Sequence, residues 1–563
     1  MPATTPFELD RYLVPVDPRH VPQYRFDVVI LGGGGAGGLA ALAAADAGAH
    51  VAVVAKGELH QSNTRWAKGG MAAVQGGDDT FESHVEDTLR VGCGLSERAI
   101  AERVVRGGPD ALRHLLALGA QFDRLPSGEL ALSKEGGHSH ARIVHAQGDA
   151  TGVEIQGTLT RALAAHPRVS TFAGHFAIDL LSEVSGRVLG VLCRTERGER
   201  VAFGAGHVVL ATGGAGQVYR ETTNPDIATA DGVAMGLRAG ATLRDMEFMQ
   251  FHPTCLYIAG AARVLISEIV RGAGGILRDR HGERFMTLHH EAAELAPRDV
   301  VSRAVFERMV STNDTSVYLD LSHFESDPHV AFPAVSRICR FFGIDIARDP
   351  IPVRPGAHYQ IGGLRVDESG RTSVPGLWAV GECASTGLHG ANRMGSNSLL
   401  EALVLGAVTG RAAAAEVASE AATPGVERVL ASRRETPPAD VPVNIGDITY
   451  SLKSMMWRQM GVKRDEEGLS DALSKLAFWT RAVGALPLET VGAWELCNML
   501  SVARLMTHAA LAREESRGVH FRTDHPDAVE PAEHLELRPE VDARGVRSIE
   551  LVHVPVGEAA LHR

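Results

Sequence analysis

Cysteine is scarce in this chain, with only six among 563 residues, and no two of them form a C-x-x-C pair. Iron–sulfur clusters and structural zinc sites usually take their ligands from closely spaced cysteines. The scattered thiols therefore argue against a protein-borne metal site and fit a reducing compartment. We expect a cytoplasmic protein without a metal.

An excess of basic residues is also absent, since 56 lysines and arginines stand against 68 aspartates and glutamates. The net charge of −12 does not suit a nucleic-acid-binding surface, so we expect no nucleic-acid partner. Met1–Tyr24 contains no basic stretch followed by an apolar run, which argues against a signal peptide. Val28–Ala45 is uncharged, but its glycines suit a phosphate-binding turn better than a membrane span, so no membrane partner is expected.

Glycine, in contrast, is abundant, with 61 residues, and the first cluster follows an apolar run. Phe26–Leu31 has the β-branched character of a buried parallel strand, Ala36–Gly48 predicts an alanine-rich helix, and His50–Ala55 predicts a second strand. This βαβ order predicts an α/β, Rossmann-like domain at the start of the chain.

Changes of composition farther along predict an α/β fold with an α+β insert: a Rossmann-like domain, an inserted capping domain and a C-terminal helical domain. The last 40 or so residues are polar and predict loops. The predicted division is an N-terminal extension (1–24), the Rossmann-like domain (25–245 and 356–420), the capping domain (246–355), a linker (421–444), the helical domain (445–535) and a tail (536–563).

The turn at 32–37 places glycines at the first, third and sixth positions of a G-x-G-x-x-G motif. Such a turn lets the backbone approach a pyrophosphate at a helix N-terminus. The acid expected at the end of the second strand is missing, because Lys56 stands there. Lys56 disfavours NAD and leaves FAD or an atypical site. Two later strands support FAD, VLATGG at 209–214 and GLWAVGE at 376–382, so we expect 25–245 and 356–420 to form an FAD-binding domain.

Several motifs in order resemble the flavoprotein family of succinate dehydrogenase, fumarate reductase and L-aspartate oxidase, over about Phe26 to Pro526. They are GGGGAGG (32–38), SNTRWAKGG (62–70), VLATGG (209–214), QFHPT (250–254), APRD (296–299), AHY (357–359) and GLWAVGE…GLHGANRMGSNSLLE (376–401).

The resemblance implies FAD contacts spread over the first domain. These would come from Gly32, Gly34, Gly35, Ala36, Gly37, Lys56, Ser62, Asn63, Thr64, Lys68, Gly69, Gly70, Asp231, Glu382, Ser398 and Leu399. Respiratory members carry a histidine that bonds covalently to the flavin where this chain has Asn63, so noncovalent FAD is expected. Lys68 replaces the family's usual glutamine, which leaves one flavin contact undefined.

A small dicarboxylate needs a cationic or hydrogen-bonding clamp at each end, and arginine matches a carboxylate best. Taken singly, each candidate is more typical of a structural residue. The resemblance implies that His252, Ser267, His358 and Arg393 bind the substrate, and that Arg298 transfers a proton with help from Glu268, Arg271 and His252.

The stretch KEGGHSHAR at 134–142 separates the possible substrates. Succinate dehydrogenases carry an aromatic residue where this chain has Glu135, and a carboxylate there would attract an ammonium group. This stretch resembles the aspartate oxidases, so we expect oxidation of L-aspartate to iminoaspartate, the first step of NAD biosynthesis through quinolinate. O2 (forming H2O2) or fumarate would accept the electrons, and quinolinate synthase is a possible partner.

Three other interpretations remain open. The first is a soluble fumarate reductase or succinate dehydrogenase flavoprotein subunit. The second is a flavin-binding subunit that only passes electrons. The third concerns His138, His140 and His145, which could suggest a metal site but lack the usual cysteine and carboxylate partners.

Overall fold

A computed structural model describes residues 3–258, 263–419, 425–429, 443–542 and 544–557. The strands are β1 Ala3–Asp10, β2 Gln23–Arg25, β3 Val28–Leu31, β4 Val51–Val54, β5 Met71–Ala72, β6 Leu132–Ser133, β7 Ile143–Val144, β8 Val169–Phe172, β9 His175–Ser182, β10 Val188–Thr195, β11 Arg200–Gly204, β12 His207–Leu210, β13 Leu243–Arg244, β14 Met249–Leu256, β15 Ile276–Arg278, β16 Val317–Asp320, β17 Ile351–Gln360, β18 Gly363–Arg365, β19 Leu377–Ala379, β20 Ala384–Ser385, β21 Glu533–Asp542 and β22 Gly545–Pro555. The α-helices are α1 Gly35–Asp46, α2 Asn63–Trp66, α3 Phe81–Val91, α4 Arg98–Ala117, α5 Thr151–Ala165, α6 Asp231–Ala239, α7 Glu268–Gly272, α8 Arg298–Ser311, α9 Pro328–Ala331, α10 Pro333–Phe341, α11 Asn397–Ser419, α12 Ile445–Gln459, α13 Glu466–Gly484 and α14 Val491–Ala512.

A parallel sheet of five strands, in the order β19-β12-β3-β4-β8, forms the centre of the first domain. Every residue of β3 and β4 is buried, as expected for parallel strands covered on both faces. The βαβ unit predicted from the sequence is therefore confirmed, and the fold is of the Rossmann-like α/β class. The glycine turn and the ends of β12 and β19 meet at one edge of this sheet, where ligands bind in such folds.

Helices α1 and α11 pack closely because glycine stands where they cross. A Cβ on Gly406 would lie 2.6 Å from the carbonyl oxygen of Ala36, and one on Gly410 would lie 2.1 Å from that of Ala40. Among the described residues α11 is the one helix long and apolar enough to cross a membrane, and 61% of its most apolar window is buried within the protein. Its apolar character is thus used in the core against α1.

The segment predicted as a capping domain (246–355) contains most of an antiparallel sheet, β14-β17-β16-β15, and its own apolar core. Strand β17 crosses the predicted boundary at 355 and ends at Gln360. Helix α8 packs on β14, and Ser302 of that helix donates a hydrogen bond to the carbonyl of Phe251. Strands β14 and β17 pair so that Gln250 lies opposite Tyr359 and His252 opposite Gly356. This pairing brings the QFHPT and AHY motifs together.

Helices α12, α13 and α14 confirm the helices predicted near the C-terminus, and α14 packs on α6 of the first domain. Arg513 reaches back to Glu247 and Asp245, and Arg517 donates to the carbonyl of Cys93 at 2.8 Å. Arg522 instead bonds within the C-terminal region, to Asp524 and the carbonyl of Ala510.

The prediction of a loop-like tail is wrong, because β21 and β22 form a long antiparallel hairpin. β22 also pairs with β1 of the N-terminal extension, and β21 pairs with β13. These partners are distant in sequence, so no local pattern announced them. Strand β21 crosses the predicted boundary at 535. Most of the predicted linker (421–424 and 430–442) lies outside the described residues, and a single turn, Val426–Arg428, is described within it.

Candidate active site

One cavity gathers nearly all the residues singled out in the sequence, with about 1830 Å³ of space unfilled by protein. Of the predicted cofactor and substrate residues, only Gly37 does not line it. A Cβ on Gly37 would lie 2.0 Å from the carbonyl oxygen of Gly32, so this glycine is needed for the close contact between turn and helix. The cavity runs from the glycine turn to the strands of the capping sheet.

The glycine turn and the start of α1 line one end of the cavity. Gly32 has φ 107° and lies against Ala211, whose oxygen would be 2.2 Å from an added Cβ. Helix α1 begins at Gly35, whose N–H donates to the Thr64 hydroxyl at 2.9 Å. A helix N-terminus on a cavity wall favours a negatively charged ligand such as a pyrophosphate.

Lys56 fills the place of the missing acid at the end of β4. Its ammonium donates to Thr229 (2.6 Å), Asp231 (2.8 Å) and Glu495 (2.8 Å). Burial alone would lower the pKa of Lys56, but the two carboxylates outweigh it and raise that pKa. All three ammonium protons are thus used within the protein. A carboxylate, that of Asp231, nevertheless lies on the cavity wall.

Two side-chain hydrogen bonds to other segments hold the loop at 62–70 in place. Asn63 Nδ2 donates to Glu382 Oε2 at 2.7 Å, and the Ser62 hydroxyl donates to Gln156 at 2.7 Å. Burial raises the pKa of Glu382, an effect that exceeds its hydrogen bonds from the Gln360 amide and Asn63. Lys68 Nζ is buried with no hydrogen-bond partner among the described residues, and burial lowers the pKa of Lys68.

Three buried polar atoms along this wall have no partner among the described residues: Asn63 Oδ1, Lys68 Nζ and Thr212 Oγ1. Unsatisfied buried groups are costly, so they indicate a polar ligand. Together with the glycine turn and the start of α1, they fit a dinucleotide with a polar ring system. Ser398 and Leu399 add the first turn of α11, where helix N–H groups lack intrahelical acceptors.

Arg393 lies at the other end of the cavity with no carboxylate partner among the described residues. Its guanidinium bonds Ser398 Oγ (2.6 Å) and Gln250 Oε1 (3.3 Å) and stacks 4.7 Å from the ring centre of Tyr359. Burial, followed by the charge of Arg298, lowers the pKa of Arg393 to about 10. The group is still cationic at neutral pH and is available to bind an anion.

Arg298, Glu268 and Arg271 form a connected buried series. Arg298 Nε donates to Glu268 Oε2 at 2.8 Å, and the same oxygen is 3.7 Å from Arg271 Nη2. Burial raises the pKa of Glu268, but the two guanidinium groups outweigh it and bring that pKa to about 2. The carboxylate is therefore ionised throughout the physiological range.

The two histidines meet at the pairing of β14 and β17, with ring centres 5.2 Å apart. Burial and the neighbouring arginines hold the pKa of His252 and of His358 well below the usual value. Both rings are thus neutral hydrogen-bonding groups. Ser267 lines the cavity beside them, and its hydroxyl caps α7.

Glu135 is buried in a socket made largely of backbone. Its Oε2 accepts a hydrogen bond from Ser396 Oγ at 2.7 Å. A Cβ on Gly69 would lie 3.2 Å from Glu135 Oε1. One on Gly395 would lie 2.8 Å from Glu135 Oε2 and 3.1 Å from Arg298 Nη2. The carboxylate thus lies near the guanidinium of Arg298, and a larger residue at either glycine would press on these charged groups.

The three histidines considered as a metal site, His138, His140 and His145, do not converge on one point. His138 Nε2 bonds the carbonyl of Gly395 at 3.0 Å, whereas His145 bonds Ser133 and His140 bonds Ser83. Arg142 Nη1 lies 3.2 Å from His138 Nδ1, which makes Nδ1 the acceptor and Nε2 the donor. His138 therefore links the 134–142 stretch, which contains Glu135, to residues 393–396, which contain Arg393.

Gln250 and Ser396 were missed as site residues in the sequence. Gln250 Oε1 accepts from both Arg298 (3.4 Å) and Arg393 (3.3 Å), so this side chain spaces the two cations. Both residues stand inside quoted motifs, QFHPT and GSNSL. Their position inside these motifs was the signal by which the sequence could have identified them. Their contacts could not be foreseen, because they join segments far apart in the chain.

Comparison with known proteins gives matches over most of the chain. A model of the FAD binding domain matches residues 27–399, and one of the fumarate reductase flavoprotein C-terminal region matches residues 449–538. The chain is 44% identical to an L-aspartate oxidase of Streptomyces coelicolor over 89% of each protein. It is 41% identical to a chloroplastic L-aspartate oxidase of Arabidopsis thaliana, over 89% of this chain and 81% of the relative.

Among solved structures, the chain resembles a quinol fumarate reductase of E. coli, with a TM-score of 0.88 and 33% identity over 96% of this chain and 98% of the other. An adenylylsulfate reductase of Archaeoglobus fulgidus has a TM-score of 0.74 at 19% identity, a likeness of fold alone.

Proposed function

Because this chain belongs to the family of FAD-binding flavoproteins that includes the L-aspartate oxidases, we propose that it oxidises L-aspartate to iminoaspartate in the cytoplasm. In this reaction the substrate loses two electrons and two protons. It is the first step of NAD biosynthesis through quinolinate. The observation that carries the choice of substrate is the carboxylate of Glu135, held in the wall of the cavity beside Arg298.

FAD, when bound, supplies the two-electron acceptor of the reaction. We assign its pyrophosphate to the glycine turn and the start of α1, a ribose hydroxyl to Asp231, and its ring system to the wall formed by the 62–70 loop, Glu382 and the first turn of α11. Asn63 stands where a covalent link would require histidine, and its amide is bonded to Glu382. The cofactor is therefore noncovalent.

The substrate carboxylates are assigned to Arg393, His358, His252 and Ser267. Neutral histidines donate hydrogen bonds without adding charge, so Arg298 and Arg393 are the cations of the clamp, and Glu135 is the carboxylate available to the ammonium group of L-aspartate. Succinate has no group that could use this carboxylate. At about 4 Å in a partly screened site, an ammonium–carboxylate contact is worth about 4 kcal/mol, enough to select the amino acid.

Arg298 is assigned the proton-transfer role, with Glu268 and Arg271 behind it. An arginine is normally locked in its charged form, so it can move a proton only where neighbouring groups share the change. The 2.8 Å bond from Arg298 Nε to the buried carboxylate of Glu268 supplies such a neighbour. The same bond fixes the guanidinium in the orientation in which it faces the substrate.

The electrons are proposed to leave to O2, forming H2O2, or to fumarate, a dicarboxylate that the same clamps would hold. Iminoaspartate is unstable in water, so a quinolinate synthase that consumes it at once is the proposed partner.

The alternative is a soluble fumarate reductase or succinate dehydrogenase flavoprotein subunit, which the likeness to the E. coli reductase favours. Glu135 argues against it, because its carboxylate offers a partner to an ammonium group, which L-aspartate has and succinate lacks. A subunit that only passes electrons would not need the clamp residues that converge here.

One experiment separates these functions. The purified chain with FAD is mixed under argon with L-aspartate or with succinate, and the flavin absorbance is followed. Bleaching by L-aspartate and little or none by succinate is expected. Bleaching by succinate alone would overturn the proposal in favour of the alternative, and bleaching by neither would favour the electron-passing subunit.

A further inference from the structure

Helix α14 belongs to the C-terminal region, yet two of its side chains bond to residues that line the cofactor end of the cavity. Asn498 is fully buried, and its Nδ2 donates to Asp231 Oδ1 at 2.8 Å. Glu495 accepts a hydrogen bond from Lys56 at 2.8 Å. Residues three apart share a helix face, so one face of α14 contacts both groups.

Neither α14 residue lines the cavity, whereas Asp231 and Lys56 both do. Asn498 is itself fixed, because its Oδ1 accepts from Arg238 Nη1 at 2.8 Å and Arg238 Nε donates to Asp179 of β9 at 2.8 Å. Asn498 therefore joins two buried ion pairs, Arg238–Asp179 and Lys56–Asp231. Its amide has one orientation that satisfies both.

The hydrogen bonds that Asp231 already accepts determine how many more its carboxylate can accept. A carboxylate has about four acceptor positions. Lys56 and Thr229 donate to Oδ2 and Asn498 donates to Oδ1, which leaves one position, on Oδ1. A single hydroxyl donor on the cavity side would complete the set.

We propose that Asn498 and Glu495 are positioning residues of the cofactor site. They hold Asp231 and Lys56 so that one carboxylate oxygen faces a ribose hydroxyl of the dinucleotide. The acid that Rossmann-like folds usually carry at the end of the second strand is here supplied by α6 and oriented by a helix of the C-terminal region. The proposal deepens the proposed function and rests on its assignment of FAD.

The test uses the full chain freed of FAD and titrated with FAD, with flavin fluorescence giving the Kd. For Asn498→Leu we expect the Kd to rise about tenfold or more, because two buried polar groups lose their shared partner. For Glu495→Gln, whose side chain is 23% exposed, we expect a rise of about threefold. At saturating FAD, the KM for L-aspartate should not change.

The matched control is Thr507→Val. Thr507 is also buried on α14, but its hydroxyl bonds only the carbonyl of Ala503 in the same helix. A purely structural role would lower the melting temperature of the FAD-free variants and leave their Kd equal to that of the control. That result would overturn the proposal.

If Asn498→Leu does not fold, Glu495→Gln decides alone, and a Kd equal to that of the Thr507→Val control contradicts the proposal. Failure of the unmodified chain to bind FAD would instead overturn the cofactor assignment, so the two failures are distinguishable.

Discussion

Ser396 donates a hydrogen bond of 2.7 Å to Glu135 across a sequence separation of 261 residues. Ser396 has φ 60°, a left-handed conformation that is unfavourable for a residue with a side chain. The strained turn places its hydroxyl at the socket of Glu135, so this bond fixes the carboxylate that we assign to the substrate ammonium.

Ser396→Ala should therefore weaken the binding of L-aspartate. The variant keeps the backbone strain and loses only the hydroxyl, which leaves Glu135 freer to turn toward Arg298. We expect the KM for L-aspartate to rise about tenfold while fumarate reduction changes little. Steady-state kinetics with both substrates measures this. Ser454→Ala serves as control, because this buried hydroxyl has no hydrogen-bond partner within the described part of the chain. Equal effects in the two variants would contradict the role of Ser396.

Replacement of Glu135 itself should have a larger effect of the same kind. Glu135→Gln keeps the size of the side chain and removes the charge that attracts the ammonium. We expect kcat/KM for L-aspartate to fall about 100-fold or more, with fumarate reduction retained. A parallel loss of both activities would show that Glu135 supports the site without reading the amino group.

Glu268→Gln should lower kcat more than it changes KM. The variant keeps a hydrogen-bond acceptor for Arg298 but cannot share its proton. We expect kcat to fall about 100-fold, within the usual contribution of a proton-transfer group. Glu294→Gln is a useful comparison, because Glu294 is buried and paired with Arg284 nearby but does not line the cavity. A KM change without a kcat change would contradict the relay.

The ionised state of Glu268 also predicts an acid effect on stability. Its pKa in the folded protein is about 2, below the ordinary 4.5, so its contribution to the free energy of unfolding is complete above pH 4.5 and is lost as pH falls toward 2. The contribution is about 3 kcal/mol at most. The difference in stability between the unmodified protein and Glu268→Gln should therefore shrink between pH 5 and pH 3 in urea denaturation. A constant difference would exclude the ion pair.

The neutral histidines predict a flat pH dependence of substrate binding. Because the pKa of His252 and of His358 is far below 6.5 in the folded protein, neither ring should gain a proton between pH 6 and pH 8. The KM for L-aspartate should show no inflection in that range. The same depressed pKa values imply stability that is present above pH 6.5 and is lost as pH falls below it. An inflection near pH 6.5 that disappears in His358→Asn would contradict this state.

Local sequence patterns predicted much of the fold. The βαβ unit, the long helices and the strands after Val169 follow from runs of apolar residues and their glycine boundaries, because these features act over a few residues. The strand hairpin at the C-terminus did not follow. Its stability depends on pairing with β1 and β13, and β1 lies more than 500 residues away in the sequence.

The residues of the candidate site also divide into those that local sequence motifs predicted and those that they did not. The glycine turn, Lys56, Asn63 and the dicarboxylate clamp could be listed from motifs, because their residue types limit the chemistry available to them. Gln250 between two arginines, Ser396 against Glu135, and α14 behind Asp231 could not, because each is a contact between distant segments. The sequence by itself determined a dinucleotide-binding α/β protein and the kinds of groups at its site. The tertiary structure alone decided which of those groups share a hydrogen bond or a charge, because buried charges are stabilised by neighbours that only folding brings within a few ångströms.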